Sequence, residues 1–251
     1  MASTSDDLNI STPAVVAWGS GTILTDVTLD LRQRVSNNTA LFKIRAALTL
    51  KNSPLTRTAF FLFVYPELIR SLEPLSGADV ERGIVAESGA ATAPDIARAK
   101  LGIDVTCLRF ELSEPLNLIG PKDAMLTPKN RASGQTLDSL RALARQDSFF
   151  IYFPQNVVSK ARLITLCNVI CAGTSRTMKR QADIVTLYGG KGGQVLTDPS
   201  VVSGVTIDAD TTSINPPAYN EIELGPPPPP LAIPDDGRAS SSQPLSRTVI
   251  D

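Results

Sequence analysis

Apolar and polar residues alternate with a period of two along the first part of the chain, the signature of strands with one buried face. Ile23, Thr25, Val27, Leu29 and Leu31 fall on one face of the first run, and Leu24, Asp26, Thr28, Asp30 and Arg32 on the other. The next run repeats the pattern, with Phe42, Ile44, Ala46, Leu48 and Leu50 on one side and Lys43, Arg45, Thr49 and Lys51 mostly on the other. Ser36-Asn37-Asn38-Thr39 between them supplies asparagines that tolerate positive φ, so strands 23–34 and 41–51 are expected to pair as a hairpin. Acids on the first strand then face bases on the second and help to set register. Asn52-Ser53-Pro54 makes the next turn. Thr58–Tyr65 is apolar without alternation, which reads as a central strand covered on both faces. Pro66 ends it, and Glu67–Leu72 is expected to form a short helical turn. Residues 76–100 read as a long surface loop with one helical turn at Asp95–Lys100. In the strand expected at Ile103–Leu112 the apolar phase slips, which predicts a β-bulge near Cys107.

The period lengthens within 126–193. Ser133 is the expected N-cap of a helix over 134–146, with Leu137, Leu140 and Ala144 on its apolar stripe. Ser148–Phe153 is a short aromatic strand stopped by Pro154. Ser159 then caps a second helix, where Leu163, Ile164, Cys167, Ile170 and Cys171 form the stripe and Gly173 ends it. The two helices do not alternate regularly with strands. The expected class is therefore α+β: a mixed or mostly antiparallel sheet begun by an N-terminal β-meander, with two main helices packed on it. Residues 1–9 are expected to be disordered, with polar fraying to residue 12, and residues 10–197 to form a single domain. Residues 198–251 should be an acidic, proline-rich, disordered tail, although Val201–Asp208 is a candidate edge strand.

Charge sharpens that boundary. Residues 198–251 hold eight acids and two arginines, a net −6, while the rest of the chain is mildly basic. The chain has no histidine, which excludes Ser-His-Asp and Cys-His catalysis, HExxH zinc sites and histidine pH switches. Cys107, Cys167 and Cys171 have no framework spacing and read as reduced, buried thiols in the cytoplasm or nucleus. MASTSDDLN has neither a basic nor an apolar region of a secretory signal, and the apolar run Ala59–Tyr65 is too short to span a bilayer, so no membrane is expected as a partner.

The segments LTPKN (126–130), LDSLRALA (137–144), FFIYFP (149–154) and ADIVTLYGGKGG (182–193) are similar to an uncharacterised family of fungal intracellular proteins. In that family the same run is followed by a PPxY tail and a proline cluster, as it is here. The resemblance spans roughly residues 10–230 and implies an intracellular protein; it implies no activity and no cofactor.

Candidate chemistry is sparse. Leu187–Gly193 (LYGGKGG) looks like a phosphate loop, but Walker A places Ser or Thr after the lysine, and here Gly192 follows Lys191. A tight reversal through several positive φ angles explains the glycines; a nucleotide-binding protein or enzyme using Gly189–Gly193 is the alternative. Lys160, Arg162, Arg176, Lys179, Arg180 and Lys191 form a basic run without an aromatic-interleaved, zinc or helix-turn-helix signature. It reads as solvated surface, with weak nucleic-acid binding as the alternative. Asp208-Ala209-Asp210 lacks the glycine and distal glutamate of a calcium loop, so no metal is expected. The sharpest motif is Pro216-Pro217-Ala218-Tyr219. Pro216 and Pro217 bias the segment to polyproline II and fit a WW domain's aromatic groove, and Tyr219 fills the adjacent pocket. Pro226–Pro230 is a second such block, suited to another polyproline-binding domain or to a stiff spacer. The expected function is an interaction or adaptor protein docking WW-domain partners through its tail.

Overall fold

In the computed structural model the described residues are 7–19, 21–51, 57–75, 92–102, 104–122 and 126–196. All belong to one compact unit, Met1–Ser203. Ten strands form one sheet: β1 (Leu8–Trp18), β2 (Thr22–Arg34), β3 (Thr39–Leu48), β4 (Thr58–Val64), β5 (Ile69–Leu75), β6 (Val105–Leu112), β7 (Leu118–Pro121), β8 (Ser148–Pro154), β9 (Arg176–Thr177) and β10 (Gly193–Val195). The helices are α1 (Ala93–Leu101), α2 (Arg131–Ala144), α3 (Lys160–Cys171) and α4 (Lys179–Ala182). The strand order is β10-β7-β4-β3-β2-β1-β8-β6-β5, antiparallel throughout that path, with β9 adding a two-residue parallel pairing to β3. This is the mostly antiparallel α+β class that the patterning implied.

The sheet curls. Phe42 on β3 and Phe110 on β6 meet edge to face at 5.3 Å, although three strands separate them in the order. Phe110 also stacks on its cross-strand partner Phe149. The helices close the curl at its ends. At one end Ser133 Oγ on α2 accepts the Thr49 N–H, and the Ala144 carbonyl accepts the Leu116 N–H. At the other, Arg162 on α3 donates to the Asp7 carbonyl, and Cys171 meets the backbone of Leu72 on β5. Leu137, Leu140 and Leu143 of α2 and Leu163, Leu166 and Ile170 of α3 thereby join the inner core. Each such side chain contributes about 1.5–3 kcal/mol of burial.

Several expectations are corrected. β1 begins at Leu8, where fraying is expected to residue 12; Leu8, Thr12, Ala14, Val16 and Trp18 are buried on one face, and Val15 and Ala17 on the other. Pro13 is tolerated because β8 pairs with β1 only at Val15–Ala17, leaving no ladder bond for its missing N–H to break on that side. Register shifts lie on β2 and at Ile69/Ser71 on β5, and not at Cys107. Register shifts between Ala14/Val27 and Val16/Leu24, with Asp26 at φ 59° taking up the extra residue. Across it the buried phase changes, so Leu24 faces the inner core with Val27, Leu29 and Leu31, while Ile23 faces outward. β6 pairs with β8 without a shift from Val105 to Glu111. Its apolar phase slips because both faces are covered: Leu108, Phe110 and Leu112 point inward, and Cys107 packs outward under Ala93 and Ala97 of α1.

Glu67–Leu72 is not helical as a whole; a 3-10 turn at Pro66–Leu68 leads directly into the edge strand β5. The helical turn at Asp95–Lys100 is a full nine-residue helix, opened by a reciprocal capping box between Thr92 and Asp95. Asn130, not Ser133, caps α2: its side chain accepts the Ser133 N–H at 2.8 Å. Ser159 does cap α3, accepting the Arg162 N–H. The buried stripe of α3 is Leu163, Leu166, Cys167 and Ile170; Ile164 is 40% exposed, and Cys171, expected in the core, is exposed as well. The candidate strand at 201–208 and the expected tail lie outside the described residues.

Candidate functional site

Three places in the domain gather the residues that the sequence singled out, or polar groups that it did not. The first is the strap that follows α3. It pairs with β3 through β9, passes over the outer face of β3 and β4, and returns to the sheet as β10 on β7. Thr177 donates its N–H (2.8 Å) and its hydroxyl to the Glu67 carboxylate. Burial opposes that charge, but the Thr177 bonds and nearby Arg176 outweigh it and hold the carboxyl below its ordinary range. Lys43 donates to the Gln181 carbonyl and sits 4.6 Å over the Phe63 ring. Its ammonium is held below the usual lysine range by burial and by Arg32, against the pull of Asp30. The strap thus covers Phe63, which is why that residue is buried on the outer face of β4 while Ala59 and Phe61 are half-buried.

The glycine-rich loop is the last part of the strap. Tyr188, Gly189, Gly190 and Gly192 all take positive φ, between 56° and 86°. The Leu187 carbonyl accepts both the Gly190 N–H (3.2 Å) and the Gly192 N–H (3.1 Å). Amides that a phosphate cradle would present outward are therefore turned onto the loop's own backbone. Tyr188 anchors the turn: its hydroxyl donates to the Ala59 carbonyl at 2.6 Å, and its ring meets Phe61 edge to face. A Cβ on Gly193 would come within 2.9 Å of Ile119, so glycine there permits the close approach of β10 to β7. Gly189, Gly190 and Lys191 are exposed. Arg176, Lys179 and Arg180 are exposed on the same strap, whereas Lys160 and Arg162 belong to the first turn of α3.

The second place is the thiols. Burial pushes Cys107 up to about 12, against its hydrogen bond with Tyr152, whose own hydroxyl is raised by the same burial. Cys167 is likewise pushed up to about 12, by burial and then by neighbouring Cys171. Cys171 Sγ accepts the Leu72 N–H at 3.3 Å and donates to the Leu72 carbonyl at 3.6 Å, covering backbone groups of edge strand β5.

The third is a cleft of about 330 Å³ between α3 and the end of β2, lined by Leu8, Gln33, Val35, Asn38, Ala161, Arg162, Thr165 and Val169. Gln33 extends the inner row of Leu29 and Leu31 and is only 6% exposed. No described residue hydrogen-bonds its side-chain amide, which opens onto the cleft. Val35, by contrast, is an apolar side chain 52% exposed at the mouth. Sequence reasoning missed both; the available signal was a glutamine in phase with a core row. A wider cleft of about 660 Å³ is bounded by Arg98, Gly102, Asp104, Gln155 and Asn156.

Pro216, Pro217, Tyr219 and Pro226–Pro230 also lie outside the described residues. Among the described residues no three acidic, cysteine or histidine side chains cluster as a metal site, and no helix is long and apolar enough to cross a membrane. No protein-family model, curated protein or solved structure matches the chain.

Proposed function

We propose that this chain is an intracellular interaction or adaptor protein, of the cytoplasm or nucleus, that docks WW-domain partners through Pro216, Pro217 and Tyr219. The observation that carries the reading is the PPAY motif itself, set in a segment rich in proline and acid and beyond the last described strand. Two prolines favour polyproline II before binding, which lowers the ordering cost, and the tyrosine two positions on supplies a ring and a hydroxyl for the second pocket. The resemblance to fungal intracellular proteins with a PPxY tail after a similar core supports the same reading. Pro226–Pro230 offers a neighbouring block for a second polyproline-binding domain. The function needs no cofactor.

Titration of the full-length protein against a panel of WW domains tests it. Affinity on the order of micromolar is expected for so short a motif. Tyr219→Ala and Pro217→Ala should each weaken binding at least tenfold, about 1.4 kcal/mol, with the domain's melting temperature unchanged. If no WW domain binds, or Tyr219→Ala binds as well as wild type, the motif is a chance match and the reading fails.

A further inference from the structure

The cleft beneath α3 is elongated. Ala161, Thr165 and Val169 lie on one row of the helix, spanning eight residues or about 12 Å at 1.5 Å per residue. An extended chain rising about 3.3 Å per residue covers that length in about four residues. The walls are tied together by Asp7, whose carboxylate accepts the Val35 N–H at 3.0 Å and whose carbonyl accepts from Arg162 at 3.2 Å. Such fixed walls lower the cost of ordering on binding. Elsewhere in the lining the Thr165 hydroxyl donates to the Ala161 carbonyl, and Asn38 Nδ2 donates to Thr174 Oγ1. Gln33 differs, being more than nine-tenths buried and presenting to the cleft an amide that no described residue engages.

We propose that this groove binds a short extended peptide of a partner protein. An aliphatic side chain of the peptide seats against Leu8, Val35 and Val169, and a backbone amide pairs with Gln33. A peptide group carries both a donor and an acceptor, as the glutamine amide does. A purely hydrocarbon ligand of the same cross-section would leave Gln33 buried without a partner. The inference stands independently of the tail motif.

Random hexapeptides displayed on phage, selected on the full-length protein and counter-selected on Ala161→Trp, test it. Ala161 is exposed, so tryptophan there fills the groove without entering the core. Surviving clones should bind wild type and weaken at least tenfold on Gln33→Leu, which removes the amide at similar volume, and on Val35→Asp at the mouth. The proposal is overturned if no clone distinguishes wild type from Ala161→Trp. It is equally overturned if decanoate binds saturably and more tightly to Gln33→Leu, for then the occupant is an acyl chain. Clones that recognise the tail bind both proteins alike and are removed by the counter-selection, so failure here is separate from failure of the WW-docking reading.

Discussion

The curl of the sheet places Phe42 against Phe110, and that contact can be measured. In the strand order β2, β1 and β8 separate β3 from β6. In a flat sheet, four spacings of about 4.8 Å would hold the two residues about 19 Å apart. Their ring centroids are instead 5.3 Å apart at 86°, an edge-to-face pair. Such pairs are worth about 0.5–1.5 kcal/mol beyond the area they bury. Phe110→Ala would cost about 3–5 kcal/mol, since it empties a fully buried site. That is a large share of a stability of about 5–15 kcal/mol, so leucine is the better perturbation. Phe42→Leu, Phe110→Leu and the double variant, compared by urea unfolding, should show a coupling of about 0.5–1.5 kcal/mol. The pair Phe110 and Phe149, stacked at 5.0 Å on neighbouring strands, is the internal control. Residues that do not touch add to within about 0.3–0.5 kcal/mol. If the control pair couples and Phe42/Phe110 does not, the curl is refuted and with it the closure of the sheet's ends by α2 and α3.

Thiol labelling of the native protein should modify Cys171 alone, with Cys107 and Cys167 reacting only on unfolding, because burial both blocks access and disfavours the thiolate; fast native modification of Cys167 would contradict its packing. Tyr188→Phe should cost about 1–3 kcal/mol in thermal or urea unfolding, by leaving the Ala59 carbonyl without its donor. Lys191→Ala should be neutral to within about 0.5 kcal/mol, and saturable ATP or GTP binding that this change abolishes would reinstate the loop as a nucleotide site. Asn130→Ala should cost about 1 kcal/mol as the lost cap of α2, so an unchanged unfolding midpoint would show that the cap lies elsewhere.

What the sequence could reveal depended on whether the deciding contact was local. Ser159 and the hydrophobic residues after it marked the start of α3 because a cap and its helix lie within a few positions. The paired strands β2 and β3 were legible for the same reason, but the bulge at Asp26 was not. Placing Thr25 in the row of Val27, Leu29 and Leu31 hides the change of phase between Leu24 and Val27. A slip of phase has two physical causes, an extra residue or a second covered face. At Cys107 the cause is α1, whose capping residue Thr92 follows segment 76–91, and no local pattern reports what packs there.

Gln33 carries the same lesson to the candidate site. It follows Leu29 and Leu31 in phase, where the pattern calls for an apolar residue. A polar residue in a core row is an inconsistency between levels, and natural chains keep such inconsistencies chiefly where function or strain requires them. Its meaning appears only when α3, about 130 residues later in the chain, is laid over the end of β2. Replacing Gln33 by leucine separates the two explanations. If the glutamine is structural, replacing it by leucine lowers the unfolding midpoint. If it serves a ligand, leucine completes the apolar row, so the midpoint holds or rises while peptide binding is lost.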